Sequence, residues 1–534
     1  MLPASWAGGD CAGDVVDRAI GLSQAMKPLS LASRLALEVY SLLWLLLSPA
    51  LLAYLLYRSL KQPAYSKHLS ERFGLRFPAF DGASDSHHRS ALGGISGSHH
   101  QSAPGGASDL HQHLAAGGEL RANDKRPLIW VHAVSLGETN AAGSLLRAIK
   151  QDYPKHRLLL THGTPTGREA GNSLLKSIGY ADHQSLQLYL PYDNRWAVDR
   201  FFDHYRPDIG LIIETEVWPM LMQRASAFNI SMILISARLS EKSLAKARRY
   251  QGLIQPALLA FEAILCQTDA DLMRIRKLAP DVQGEVCGNL KFDLELPQDL
   301  LNTGLAWRDE ADLRAPGLAS SGKEDSASEK PLLQRSWLVA ASTREGEEAL
   351  LLKQWLGLAP RETMKIVMVI VPRHPQRFEQ VAELLDQCCE GRWIRRSDPL
   401  FPAVDPSVCV ILGDSLGEMA AWYALADLVV MGGSLIDTGS QNLIEACAAG
   451  RPVVLGPSVY NFAQAASEAL ECGAAIQCES ERVLSAALDL LADRKNLAAM
   501  GQKAQRFVLA HQGASQRVMV AVGKHLESVR PIAV

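Results

Sequence analysis

The chain is predicted to be α/β, with two doubly wound parallel-sheet domains behind an N-terminal membrane-anchoring helix. Short apolar runs alternate with helix-period segments in two separate series, the pattern of strand, loop and helix that builds parallel sheets covered on both faces. A polar stretch, Leu313 to Lys330, divides the series and reads as a linker. With 534 residues, 48% of them hydrophobic, the chain exceeds what one core usually supports.

Taken in order, the first element is Leu35 to Tyr57, which apart from Glu38, Ser41, Ser48 and Pro49 is Leu, Ala, Val, Trp and Tyr. As a helix rising about 1.5 Å per residue it is long enough to cross a bilayer or to lie along its surface. Arg58, Lys61, Lys67, Arg72 and Arg76 follow it. By the positive-inside tendency they place the following domains in the cytoplasm, at the inner membrane. Residues Phe77 to Asp124 read as a disordered insertion rich in Gly, Ser, Ala and His, with a near-repeat of Ser86-His87-His88 at Ser98-His99-His100.

Strands of the first domain are expected at Leu128 to Val134, Arg157 to Leu160, Ile209 to Ile213, Met232 to Ile235 and Ala263 to Cys266. Those of the second are expected at Trp337 to Ala341, Lys365 to Val371, Val408 to Leu412, Leu428 to Met431 and Pro452 to Leu455, with closing helices from Arg482 to Glu527. The expected division is therefore 1–76 for the anchor and basic flank, 77–124 for the insertion, 125–312 for the first domain, 313–334 for the linker and 335–534 for the second domain.

Lys+Arg 54 against Asp+Glu 57 gives a net charge of -3, and no basic stripe runs along the chain. That argues against a nucleic-acid partner. The nine cysteines lack metal-type spacing and read as reduced thiols.

Chemistry is expected where strands end. Glu138 follows the first strand in Ser135-Leu136-Gly137-Glu138, placed either to act as a general base or to favour a helix start. Ile213 is followed by Glu214-Thr215-Glu216, two carboxylates that face one side if the strand persists, or that pair with Arg238 or Lys242. Lys291 and Arg373 are the cations suited to a departing phosphate, with His374 beside the second. Gly432-Gly433-Ser434, ahead of a helical run through Glu445, can let phosphate oxygens approach the backbone. Gly413-Asp414-Ser415-Leu416-Gly417-Glu418 forms another strand-end turn.

Together these segments resemble the 3-deoxy-D-manno-octulosonic acid (Kdo) transferases. The resemblance rests on His132-Ala133-Val134-Ser135-Leu136-Gly137-Glu138, Thr164-Pro165-Thr166-Gly167, Glu214-Thr215-Glu216-Val217-Trp218-Pro219, Ala237-Arg238-Leu239-Ser240, Gly288-Asn289-Leu290-Lys291-Phe292-Asp293, Pro372-Arg373-His374-Pro375 and Asn442 to Glu445, in that order. It implies a GT-B arrangement of two Rossmann-like lobes and an inverting transfer of Kdo from CMP-Kdo to the lipid A precursor (lipid IVA), without metal or cofactor. Membrane lipid is the further partner it implies. By the resemblance the catalytic base falls on Glu138, and the transition-state-stabilising carboxylate and lysine fall on Glu216 and Lys291. Nucleotide contacts fall on Pro372, Arg373, Leu416, Gly417, Glu418, Asn442, Leu443, Ile444 and Glu445.

Three segments depart from the family pattern. Gln441 and Leu443 stand where His and Pro are usual, Arg344 where His is usual, and Ser236 where Asn is usual. A nucleotide-sugar epimerase of similar fold and a non-catalytic membrane scaffold are the alternatives. The anchor segment disfavours the first of these, and the substituted histidines favour the second.

Overall fold

The computed structural model describes residues 30–60, 62–80, 126–313, 335–358, 366–402 and 407–529. Two seven-stranded sheets, parallel throughout, form two lobes. The first runs β3-β2-β1-β4-β5-β6-β7. Its strands are β1 (Leu128–His132), β2 (Arg157–His162), β3 (Ser185–Tyr189), β4 (Ile209–Ile213), β5 (Ser231–Ala237), β6 (Ala263–Cys266) and β7 (Gly284–Val286). The second runs β10-β11-β9-β8-β12-β13-β14. It comprises β8 (Ser336–Thr343), β9 (Ile366–Pro372), β10 (Trp393–Arg395), β11 (Val410–Leu412), β12 (Leu428–Met431), β13 (Val453–Leu455) and β14 (Ala475–Gln477).

Side chains alternate across each strand, so each sheet feeds two cores. Leu128 and Trp130 enter one core while Ile129 and Val131 enter the other. Trp337, Val339 and Ala341 are likewise separated from Leu338 and Ala340. The unbroken apolar runs follow from this burial on both faces.

The lobes are joined by two crossings, and these correct the expected division at 312 and 335. Helix Gln298–Leu313, assigned by sequence to the first domain, packs on helix Met419–Leu425 of the second. A Cβ at Gly304 would lie 2.0 Å from the Ala421 carbonyl oxygen, so only glycine permits this approach. Trp307 meets Phe401 and Trp422 at centroid distances of 5.1 and 4.9 Å, and Arg308 pairs with Asp427 at 2.9 Å.

In the opposite direction, helix Ala514–Val529 leaves the second lobe and buries Ala514, Val518, Met519, Val522 and Leu526 in the first. The Asp293 carboxylate accepts the backbone N–H groups of Gly513, Ala514 and Ser515, the first two at 2.6 and 3.2 Å. These are donors that a helix N-terminus leaves unpaired.

Helix Leu31–Ser59 is long and apolar enough to cross a membrane. One stripe along it, Leu37, Ser41, Trp44, Ser48, Leu51 and Leu55, is buried or half-buried, while Leu42, Leu43, Leu45, Leu46 and Leu47 are exposed. The basic flank is not wholly a surface feature. Arg72 is buried, donates to the Gly163 carbonyl at 3.0 Å and stacks 3.6 Å over the Tyr189 ring. Neighbouring Glu71 accepts Arg168 at 2.6 Å and the Tyr189 N–H at 2.9 Å.

The insertion begins later than expected. Phe77 packs on Phe201 and Tyr205, and Arg157 covers the Phe80 ring, so four residues assigned to the insertion belong to the first lobe. Residues 81–125 and 314–334, which hold the rest of the insertion and nearly all of the linker, lie outside the described residues.

Removing the Asp293 carboxylate strands three donors at the second crossing. An Asp293→Ala variant is expected to lose about 2 kcal/mol or more of stability. Amide exchange should speed up most at residues 513–519, and unchanged exchange there would refute the clamp.

Candidate active site

The carboxyl ends of β1 and β4 deliver three carboxylates to one region. Ser135 caps helix Leu136–Ala141 and forms a reciprocal box with Glu138. The Ser135 N–H donates to Glu138 Oε2 at 2.9 Å, and the Glu138 N–H donates to Ser135 Oγ at 3.4 Å. Glu138 is thus both the helix-start carboxylate and a candidate base, because the box engages one oxygen. Burial pushes its carboxyl up to about 7, helped by the negative charges of Glu214 and Glu216, with backbone hydrogen bonds at Ser135 and Val134 opposing.

The condition for Glu214 and Glu216 to share one strand face is not met, and the ion-pair alternative holds for Glu214. β4 stops at Ile213 and Glu214 takes a left-handed conformation, φ +62°. Glu214 therefore turns back under the site. It receives Lys291 Nζ at 2.6 Å and Arg238 Nε at 3.1 Å, so the ion pair to Arg238 forms and the Lys242 alternative does not. Glu216 instead accepts the Trp218 indole N–H at 2.6 Å. Burial raises the Glu216 carboxyl above its usual range, the Trp218 hydrogen bond lowers it, and Glu214 raises it.

Lys291 sits on the turn Leu290–Asp293, where Asn289 Oδ1 accepts the Lys291 N–H at 3.0 Å. Ser236, at the usual asparagine position, accepts the Leu290 N–H at 3.3 Å and so ties the end of β5 to this turn. Beneath the site, burial and nearby His162 push buried His132 down to about 3, so its ring is neutral. The ring stands edge-on to Trp218 at 6.3 Å.

Lys291 also reaches the second lobe, with Nζ 5.6 Å from the centroid of Phe462. Asn461, next to Phe462, donates its N–H to the Gly439 carbonyl at 3.0 Å. The cleft therefore runs from the carboxylates to the loop before Asn442.

On that side, Arg373 follows Pro372 at the end of β9, and its N–H donates to Thr343 O at 3.0 Å. Its Nε donates to Gln441 Oε1 at 3.3 Å, so Gln441 occupies the usual histidine position as a partner of this arginine. Arg344 lies 2.7 Å from His374 Nε2 through its guanidinium. Burial lowers His374, as do the charges of Arg344, Arg373 and Arg377. Arg377 itself is tied to Glu348 at 2.6 and 3.0 Å. Glu445 accepts from Asn442 Nδ2 at 3.0 Å, and burial raises its carboxyl against the opposing pull of Asn442 and Arg373.

Several of the residues expected at the nucleotide are also engaged within the lobe. The Gly432-Gly433-Ser434 loop is not an open phosphate cradle. Buried Glu347 takes the N–H groups of Gly433 and Leu435 at 2.7 and 2.9 Å, sealing the loop from within. Leu443 and Ile444 bury their side chains in the core, leaving only backbone for a ligand. Asn442 spends its side-chain oxygen on the Ile444 N–H at 3.1 Å. Glu418 is held by Arg396 at 3.1 and 3.0 Å and by Ser415. Leu416 is exposed, and Gly417, at φ +82°, has open space where a Cβ would stand.

Sequence reasoning missed Phe462, Glu347 and the grip of Trp218 on Glu216. Only the last had a signal, since the residues are two apart.

A protein-family model described as "3-Deoxy-D-manno-octulosonic-acid transferase (kdotransferase)" matches residues 109–294. The 3-deoxy-D-manno-octulosonic acid transferase of Bordetella pertussis is 39% identical over 399 residues, 74% of this chain and 86% of that protein. The Haemophilus influenzae protein of the same name is 30% identical over 405 residues, 75% of this chain and 87% of its own length. Among solved structures, the C-terminal CMP-Kdo binding domain of WaaA from Acinetobacter baumannii aligns at 25% identity with a TM-score of 0.34, covering 40% of this chain and 99% of that domain.

Glu138 generates a stability prediction. Its folded carboxyl, near 7, lies above the ordinary 4.5, so between those values the folded state holds a proton that the unfolded state has released. Stability from this group is full below about 4.5 and lost as pH rises through about 7. Glu138→Gln keeps a box-competent side chain without the charge. It should therefore be more stable than wild type at pH 8, by about 1–3 kcal/mol, and not at pH 4.5. Melting temperatures at the two pH values check this.

Proposed function

Because the chain belongs to the 3-deoxy-D-manno-octulosonic acid transferase family, we propose that it transfers Kdo from CMP-Kdo to the lipid A precursor, with inversion and without a metal ion. The observation that carries the reading is the buried carboxyl of Glu138, held by Ser135 and raised to about 7, across from a cationic second lobe. A base needs a proton affinity near the working pH, and this one is half-charged there.

In this reading the ionised Glu138 takes the proton of the acceptor hydroxyl as that oxygen attacks the anomeric carbon of Kdo. The bond to the CMP phosphate breaks on the opposite face, and its electron pair leaves with the phosphate. Arg373, with Arg344 and His374 beside it, meets the departing charge. Glu216 faces the positive charge that develops on the sugar, fixed by Trp218. Lys291 balances Glu214, which keeps a third buried carboxylate from raising Glu138 further. Pro372, Gly417, Glu418, Asn442, Leu443, Ile444 and Glu445 line the nucleotide side in this reading, several of them through backbone only. Leu416 stands exposed beside them.

The exposed leucines of helix Leu31–Ser59 support attachment to the inner membrane, where the lipid acceptor resides. The docked stripe leaves the remaining helix surface for lipid, with the lobes on the cytoplasmic side.

The protein incubated with CMP-Kdo and lipid A precursor should release CMP and yield a heavier lipid by mass analysis. CMP release with unmodified lipid would refute transfer. The rate should rise as pH increases through about 7, because the working base is the ionised form. Glu138→Gln is expected to lower turnover on the order of 10²–10⁴-fold while CMP binding stays unchanged. Arg373→Ala should instead weaken CMP binding by about 10- to 100-fold, read by calorimetry.

A further inference from the structure

We propose that Trp44, on the N-terminal helix, is a positioning residue for the reaction, holding Trp218 so that its indole N–H fixes the Glu216 carboxylate. The inference rests on the transferase reading above and adds to it a physical link from the helix to the reacting centre.

The geometry is continuous. Helix Leu31–Ser59 is docked beside the site by polar contacts: Glu38 receives Arg195 at 2.7 Å and Ser41 Oγ accepts the Arg195 N–H at 2.9 Å. One helical turn beyond Ser41, the Trp44 ring lies parallel to Tyr192, 5.4 Å away, and parallel to Trp218 within 9° at 6.5 Å. Such offset aromatic pairs favour one ring orientation. Trp218 also lies perpendicular to the neutral His132 ring, 6.3 Å away at 89°.

Directly after Trp218, helix Pro219–Ala227 begins. Buried Asp193, two residues from Arg195, accepts the N–H groups of Met220 and Leu221 at 3.0 and 2.7 Å. The loop that grips the N-terminal helix therefore also grips the start of the helix following Trp218. In contact with both Trp44 and His132, Trp218 presents its N–H to Glu216 Oε2 at 2.6 Å. Removing Trp44 opens one face of the indole, and Glu216 loses its fixed partner.

The test uses the full-length protein in detergent micelles, with Trp44→Ala, Trp44→Phe and Leu46→Ala, and Trp44→Ala combined with Glu216→Gln. Leu46 lies on the exposed side of the same helix and controls for general effects on the helix. Trp44→Ala is expected to lower kcat on the order of 10- to 100-fold, as small misplacements of reacting groups do. The KM for CMP-Kdo and the Kd for CMP should stay within about twofold, because nothing on the nucleotide side moves.

Trp44→Phe should restore most of the rate, and Leu46→Ala should match wild type. In the Glu216→Gln background Trp44→Ala should have little further effect, since the two changes remove the same interaction. Wild-type kcat in Trp44→Ala overturns the inference, as does an equal loss in Leu46→Ala. A full additional loss in the Glu216→Gln background, or loss of CMP binding without rescue by Trp44→Phe, also overturns it. A wild-type protein that transfers no Kdo overturns the transferase reading and with it the role given to Trp44, whereas failure of the Trp44 inference alone leaves wild-type transfer intact.

Discussion

Five residues, Asn289 to Asp293, hold the relation between the two lobes. The Asp293 carboxylate receives the first N–H groups of the helix that returns from the second lobe to the first. Phe292 is buried in the second lobe's core, stacked 4.7 Å from His511 and edge-on to Phe507. Lys291, between those neighbours and the Asn289 cap, reaches Glu214 in the first lobe and the Phe462 ring in the second. A carboxylate at a helix start and a buried ion pair cost too much desolvation to be left unmade, so the turn admits one arrangement. That arrangement places a cation at the floor of the cleft.

The two walls of the cleft differ in charge. On the first-lobe side three carboxylates share two cations, and only Glu214 is doubly paired. Burial then raises the other two, Glu138 and Glu216, as a compact acid cluster requires when like charges cannot all be neutralised. On the second-lobe side burial lowers the proton affinity of His374, and the charges of Arg344, Arg373 and Arg377 lower it further. The polarity across the gap runs from anionic to cationic, the direction in which a departing anion is drawn. Glu347 contributes differently, by closing the glycine loop from inside so that the loop shapes the wall.

The sequence pattern reads strands well where both faces are buried. Ile209–Ile213, Ala263–Cys266 and Leu428–Met431 begin and end where their apolar runs do. The four strands it missed, β3, β7, β10 and β14, are the four sheet edges. Ser185-Leu186-Gln187-Leu188-Tyr189 and Gly284-Glu285-Val286 mix polar residues with apolar ones because an edge strand is only partly covered, so the apolar-run signal is absent there. Domain limits failed for a related reason. Helices Gln298–Leu313 and Ala514–Val529 are amphipathic segments whose partners lie in the other lobe, and amphipathicity tells that a face is buried without telling against what.

What the amino-acid order determined by itself was therefore local. It set two series of buried parallel strands, an apolar N-terminal helix, and acidic and basic residues at strand ends, each written in one contiguous stretch of chain. The motif order carried the family likeness, and Glu138, Glu216, Lys291 and Arg373 were legible as chemistry-bearing residues. Only the tertiary structure decided which charges meet. Lys291 chose Glu214 because a left-handed residue ended β4 one position before the expected alternation. Glu216 fell to Trp218, and Trp218 to Trp44, across 174 positions of chain. Pairings of that kind depend on which strand ends, turns and helices the first lobe brings together, and no local periodicity encodes a distance between segments that meet only once the core has formed.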